Sequence, residues 1–181
     1  MSTTRPSRPG ISHLVLQVRD IEASHSFYTD MLGFEYVSSL DKNVAPYDMR
    51  FYRGASGHHD IALIHTPDPD DELPVLPWDM FTKRPGIGHI ALAYGTREAW
   101  LNQIEHLQAR GVEFLVRGDH GMTHSAYVAD PDGNGIEVLY ELPREVWEGD
   151  VEAALNYFQP TSPTGAEALA DGTDYKVFGR V

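Results

Sequence analysis

Three residues in this sequence have the types and placement to hold a metal ion: His13, His89 and Glu137. His13 sits in the run ISHLVLQV (residues 11–18) and His89 in GHIALAY (residues 88–94), each in the middle of an apolar, β-rich stretch. A lone histidine among apolar neighbours is ordinarily a core or surface side chain. Two at matching positions of two similar runs differ, because pseudo-twofold packing draws matching positions towards a shared axis. Glu137 lies in GIEVL (residues 135–139), where strand alternation puts Ile136 and Val138 on one face and Glu137 and Leu139 on the other. A carboxylate in such a strand either faces outward or is paired or metal-bound, since burying it alone is costly. Two imidazoles and one carboxylate on three strands form the facial triad that suits non-haem iron(II), with manganese(II) also acceptable to such donors. The chain has no cysteine, so only nitrogen and oxygen can hold the ion.

The runs that carry these residues belong to a repeat. Residues 11–18 read as a strand, and Asp20 can cap the helix after it. Ile21, Ser24, Phe27, Tyr28, Met31 and Leu32 recur at helical spacing, and Gly33 ends the helix. Strand-like runs follow at residues 34–40, 47–52 and 60–65. After a connection containing Pro67, Pro69, Pro74, Pro77 and Pro85, the order restarts at residue 88. Thr96 caps a helix carrying Ala99, Trp100, Gln103, Ile104 and Leu107, and Gly111 ends it. Strands are expected at residues 112–116, 124–129 and 135–140. The order is βαβββ twice, and such self-similarity is the first thing to read in a sequence. Each module has an apolar sheet face to bury, so the two are expected to pack together.

The expected architecture is α+β. Two tandem βαβββ modules, residues 11–66 and 87–142, form a curved eight-stranded mixed sheet around a metal site. Residues 67–86 link them, and a connection this long is functional or covers something. Trp78, Met80 and Phe81 on it are candidates to line an aromatic pocket, or pack ordinarily. Residues 1–10 read as a disordered leader. Residues 143–181 read as a C-terminal helical extension with Val146, Val151, Ala154, Leu155 and Phe158 along one helix, and mostly loop from residue 160.

Composition narrows the partners. The chain has 181 residues, 41% of them hydrophobic and 23% charged, which suits one domain with a real core. Its formal charge of -13 excludes a basic face for nucleic acid. Acidic residues such as Asp68, Asp70, Glu145 and Glu148 read as solvated surface. No apolar run reaches the ~18–20 residues that span a bilayer, and the basic start lacks the apolar stretch of a secretory signal. A cytoplasmic protein with no membrane partner is the expectation. Sheet edges in such a fold pair between subunits, so a homo-oligomer is expected.

With these residues in view, the chain resembles the vicinal oxygen chelate superfamily, which includes glyoxalase I, fosfomycin and bleomycin resistance proteins, and extradiol dioxygenases. The resemblance covers roughly residues 11–141, and ADPDGNGIEV (residues 129–138) is typical of the whole superfamily. Three further elements resemble single-domain, type I extradiol dioxygenases related to catechol 2,3-dioxygenase. His59-Asp60 is similar to an "HD" element whose histidine serves as acid/base. HGMTH (residues 120–124) is similar to a loop whose first histidine, here His120, contacts a substrate hydroxyl. Tyr127 stands where that family carries an active-site tyrosine.

The resemblance implies an iron(II)-dependent enzyme that opens a catecholic ring beside its two hydroxyls with O2. His13, His89 and Glu137 would hold the metal. His59, a group that titrates near neutral pH, would move protons. His120 and Tyr127 would hydrogen-bond substrate oxygens.

Each of these residues also has an ordinary reading. His59 beside His58 is an unremarkable surface pair, and Tyr127 is a common core residue. His124 either turns towards the site or orders its loop.

The alternatives are a glyoxalase-type isomerase or lyase, a fosfomycin-modifying transferase, and a non-catalytic drug-binding resistance protein. Glyoxalase I uses four protein ligands, the fourth a carboxylate in the fourth strand, where this sequence has Ala62. Drug-sequestering relatives usually lack the triad. The transferase needs a potassium-binding loop and thiol pocket not evident here.

Overall fold

The computed structural model describes residues 11–44, 46–55, 58–66, 77–78, 86–161, 172 and 175–179. The expected leader, Met80 and Phe81 lie outside the described residues. The chain divides into two compact units, Met1–Leu73 and Pro74–Val181. Each contains one βαβββ module.

In the first unit β1 (Leu14–Val18) leads into α1 (Ile21–Ser26), then β2 (Glu35–Ser39), β3 (Met49–Arg53) and β4 (Ile61–His65). Asp20 caps α1, its carboxylate accepting from the amides of Glu22 and Ala23 at 3.0 Å each. A single π-helical turn, Phe27–Met31, extends α1 and seats Tyr28 fully inside. Gly33 then leaves the helix at φ +81, a conformation that favours glycine. The sheet order is β1-β4-β3-β2, with β1 parallel to β4 and the other pairs antiparallel. Leu16 and Val18 are buried, whereas Val15 and Gln17 on the opposite face are exposed.

The second unit repeats this plan. β5 (Ile90–Ala93), α2 (Arg97–Ala109), β6 (Val116–Asp119), β7 (Thr123–Ala129) and β8 (Gly135–Glu141) follow in order. The sheet is β5-β8-β7-β6 with β5 parallel to β8. Thr96 caps α2 by accepting from the Ala99 amide at 3.1 Å. Trp100, Ile104 and Leu107, one stripe of α2, are wholly buried, and the Trp100 indole donates to the Val138 carbonyl at 2.9 Å. The extension forms α3 (Arg144–Trp147) and α4 (Val151–Leu155), then β9 (Gln159–Pro160), which pairs antiparallel with β6.

The mixed α+β class and both modules are as the sequence implies, and the eight module strands divide equally between two sheets. Several details differ. His13 and His89 each stand just before their strand, not within it. The ladders explain this, because β4 and β8 begin opposite Leu14 and near Ile90. The strand expected at residues 112–116 starts only at Val116, since the Val112 amide closes α2 by donating to the Leu107 carbonyl at 3.1 Å. The single C-terminal helix is two short ones, and Phe158 lies beyond both.

Candidate functional site

Strand register assembles the second unit's site. Ala91 pairs with Glu137, and Glu137 pairs with Tyr127. His89, two residues before Ala91, shares its side of the sheet. Glu137 is 6% exposed, so the carboxylate faces inward and the outward reading falls. The turn that delivers it is held by Asp130, whose carboxylate accepts from the amides of Asp132 (3.0 Å) and Asn134 (2.8 Å) and from the Asn134 side-chain amide (2.9 Å).

His89 Nε2 lies 3.0 Å from Glu137 Oε2. The Tyr127 ring meets His89 edge-on at 5.4 Å, and its hydroxyl is 3.2 Å from His120 Nε2. His120 stands in the β6–β7 turn, where its amide donates to the Thr123 carbonyl at 2.9 Å and Gly121 takes φ +76. Burial, the Glu137 charge and a hydrogen bond to Glu137 push the Tyr127 hydroxyl well above its ordinary value, so it stays protonated. Burial and the nearby His89 and His124 hold the His120 imidazole below its usual value, against the opposing pull of Glu137 and Asp119. His120 is therefore neutral at neutral pH. Ladder register and these contacts gather His120, Tyr127, Glu137 and His89 in one unit.

His124 takes the other course. It pairs across the ladder with Asp119, its Nε2 is 3.7 Å from the Asp119 carboxylate, and its Nδ1 is 3.2 Å from the Tyr140 hydroxyl. It orders the β6–β7 hairpin.

In the first unit, parallel pairing sets the residue before β1 beside those before β4. The His13 and His59 rings are 4.6 Å apart, and His59 Nδ1 is 2.6 Å from His58 Nδ1. Phe51 meets His59 edge-on at 5.1 Å. Desolvation and the neighbouring imidazoles of His58 and His13 lower the His59 pKa, and Asp60 opposes them. Asp60 itself accepts from the Gly54 amide at 2.7 Å. A separate cleft of about 520 Å³ is lined by His25, Tyr36, Lys42, Tyr47 and Arg50, and none of the candidate site residues borders it.

The nitrogen and oxygen donors of His89 and Glu137 fit a divalent ion, and a carboxylate this buried wants a cationic partner. Two of the three expected donors thus meet in one unit, and His13 belongs to the other. Among the described residues, no group of three or more His, Asp or Glu side chains is gathered round a common point.

Two contributors escaped the sequence reading. The Trp78 indole, offered there only as a pocket candidate, stacks on Tyr127 at 5.3 Å and 11° between planes. Phe158 packs on His120 at 4.9 Å. The available signal was glycine inside strands, which marks close approach. A Cβ on Gly135 would meet the Trp78 indole at 2.1 Å, and one on Gly118 would meet Phe158 at 2.4 Å.

A repeated βαβββ fold with carboxylate and imidazole on one sheet face defines a class of small-molecule metalloproteins. The chain belongs to the Glyoxalase/Bleomycin resistance protein/Dioxygenase superfamily, whose model matches residues 10–138.

Among its curated relatives, it is 29% identical to "Catechol-2,3-dioxygenase" of Bacillus subtilis, over 89% of this chain and 51% of that protein. It is 32% identical to "Biphenyl-2,3-diol 1,2-dioxygenase 3" of Rhodococcus globerulus, over 72% of this chain and 62% of that one. "Lactoylglutathione lyase" of Pseudomonas putida is 29% identical over 73% of this chain and 85% of the relative. The chain spans only about half to three fifths of the length of the two dioxygenases.

Solved structures give the same fold. A glyoxalase/bleomycin resistance protein/dioxygenase domain from Frankia superposes with a TM-score of 0.56 at 20% identity, over 75% of this chain and 94% of that one.

Proposed function

We propose that this protein is an extradiol ring-cleaving dioxygenase that inserts both atoms of O2 into a catecholic substrate beside its vicinal hydroxyls. The observation that carries the reading is the gathering of His120, Tyr127, Glu137 and His89 in one unit. Its metal would be iron(II), or manganese(II), held by His89 and Glu137 with His13. When bound, such an ion supplies Lewis acidity and a template for substrate oxygens and O2.

The side chains account for the rest. The lowered pKa of His59 leaves a neutral imidazole able to take a catechol proton and later return it. Tyr127, held protonated, donates towards a developing oxyanion. His120 fixes that hydroxyl and offers a second polar contact.

The lyase relatives make a glyoxalase-type reaction the second reading. Ladder register argues against it. Val15 pairs with Ala62 in the first module just as Ala91 pairs with Glu137 in the second. Ala62 therefore occupies the place of Glu137, and alanine cannot supply the fourth ligand that such a reaction uses. A cytoplasmic location and a homo-oligomer belong to the same proposal.

The test is anaerobic loading with iron(II), then air and a panel of catechols under visible absorbance. A yellow ring-opened product, abolished by His89→Ala, is expected. No colour with any catechol, from protein carrying one tightly bound iron, refutes the reading.

A further inference from the structure

Two aromatic side chains from outside the repeat close on the two polar groups that the site uses beside its metal ligands. Trp78 comes from the connection between modules. Its ring lies flat on Tyr127, its edge faces His89 at 6.4 Å, and its Nε1–H donates to the Gly88 carbonyl at 2.6 Å. Phe158 comes from the C-terminal extension, just ahead of the β9 residues that pair with β6. Its ring covers His120 at 4.9 Å and 40°.

Both rings rest in notches that only glycine leaves open, Gly135 for Trp78 and Gly118 for Phe158. Gly135 and Glu137 are two apart on β8, and Gly118 is two from Val116, the ladder partner of Tyr127. Strand alternation therefore puts both notches on the face that carries Glu137 and Tyr127. Trp78 thus covers Tyr127 and Phe158 covers His120, whose Nε2 is 3.2 Å from the Tyr127 hydroxyl.

We propose that Trp78 and Phe158 are positioning residues that clamp the Tyr127–His120 pair in its hydrogen-bonding geometry. A tyrosine ring free on one face swings its hydroxyl by rotation about two side-chain bonds. A flat indole anchored to backbone next to His89 removes that freedom. Phe158 does the same for an imidazole on a turn. One residue of the connection and one of the extension thereby complete the site. The kinetic consequence rests on the ring-cleavage reading; the geometry does not.

The first arm of the test needs no reaction. Near-ultraviolet circular dichroism of the metal-free protein, with and without Trp78→Phe, isolates the Trp78 band from those of Trp100 and Trp147. Tyr127→Leu should remove most of that band, and Tyr127→Phe should keep it. A band unchanged by Tyr127→Leu overturns the clamp, whatever reaction the protein performs.

The second arm uses iron-loaded protein and the best catechol. Trp78→Ala and Phe158→Ala should each lower kcat on the order of ten- to a hundredfold, with iron content unchanged. KM should stay within about twofold. Gly135→Ala, which displaces the indole but keeps it, should copy Trp78→Ala. In a Tyr127→Phe background, Trp78→Ala should add less than about twofold, since both act through one hydroxyl. Fully additive losses, or a raised KM with kcat intact, overturn the proposal. If the wild type cleaves no catechol, the ring-cleavage reading fails, and the first arm still decides the clamp.

Discussion

Ala62 and Phe51 stand in the first module where Glu137 and Tyr127 stand in the second, as the matching registers require. The repeat is therefore symmetric in backbone and asymmetric in chemistry. The first module keeps His13 and adds His59, which the second lacks. Under the proposed function, His59→Gln should lower kcat by about 10²–10⁴-fold, the range of a lost acid/base group, with iron still bound. Iron lost from that variant in metal analysis would make His59 a ligand or a structural residue instead.

Asp119 permits a prediction independent of activity. Burial works to raise its carboxyl, but the His124 imidazole 3.7 Å away, the hydrogen bond from the Gly121 amide and the nearby His120 outweigh it and hold the group below its usual 3.8. A carboxyl depressed in the folded state stabilises the protein above its unfolded value, and that contribution is lost as pH falls through the folded value. Asp119→Asn should therefore lower stability near neutral pH and flatten its decline below 3.8. Urea midpoints measured across that range check this, and an unchanged slope would count against it.

The β7–β8 turn is the element on which the position of Glu137 depends. Asp130 alone accepts three of its hydrogen bonds. Asp130→Ala should cost about 2–3 kcal/mol, the usual loss when paired polar groups are orphaned, read from urea unfolding. Iron affinity should fall with it, because the first residues of β8 set the carboxylate. This turn was legible beforehand, since Asp-Pro-Asp-Gly-Asn is turn chemistry in any context. The start of β6 was not. Val112–Leu115 has strand composition, yet the end of α2 captures the Val112 amide and Phe114 is buried without joining a ladder. Competition between two local structures for one amide is invisible to periodicity.

Across the chain, the formal charge of -13 lies on a fold whose described helices include none long and apolar enough to cross a membrane. The exposed edge strand β2, with Tyr36 and Val37 open to solvent, is where the proposed homo-oligomer would pair. Sedimentation velocity at micromolar concentration should show a species larger than 20.2 kDa, and a monomer at every concentration would remove that part of the proposal.

Local pattern alone was enough for the repeat and the α+β class, and it singled out His89 and Glu137, which the structure brings to 3.0 Å. Period-two and period-3.6 spacing write each module, and alternation within residues 135–139 already separates Glu137 from Ile136 and Val138. Spacing along one chain could not tell whether that carboxylate was buried, nor that Tyr127 rather than another residue would lie opposite it. Ladder register settled both, since cross-strand neighbours depend on which strands pair. Trp78 could be read only as a candidate pocket wall, and the places of Trp78 on Tyr127 and Phe158 on His120 were further beyond reach. They are far in sequence from the rings they touch, and their seats consist of side chains missing at Gly135 and Gly118. An empty notch acquires meaning only when the chain that fills it has been brought alongside.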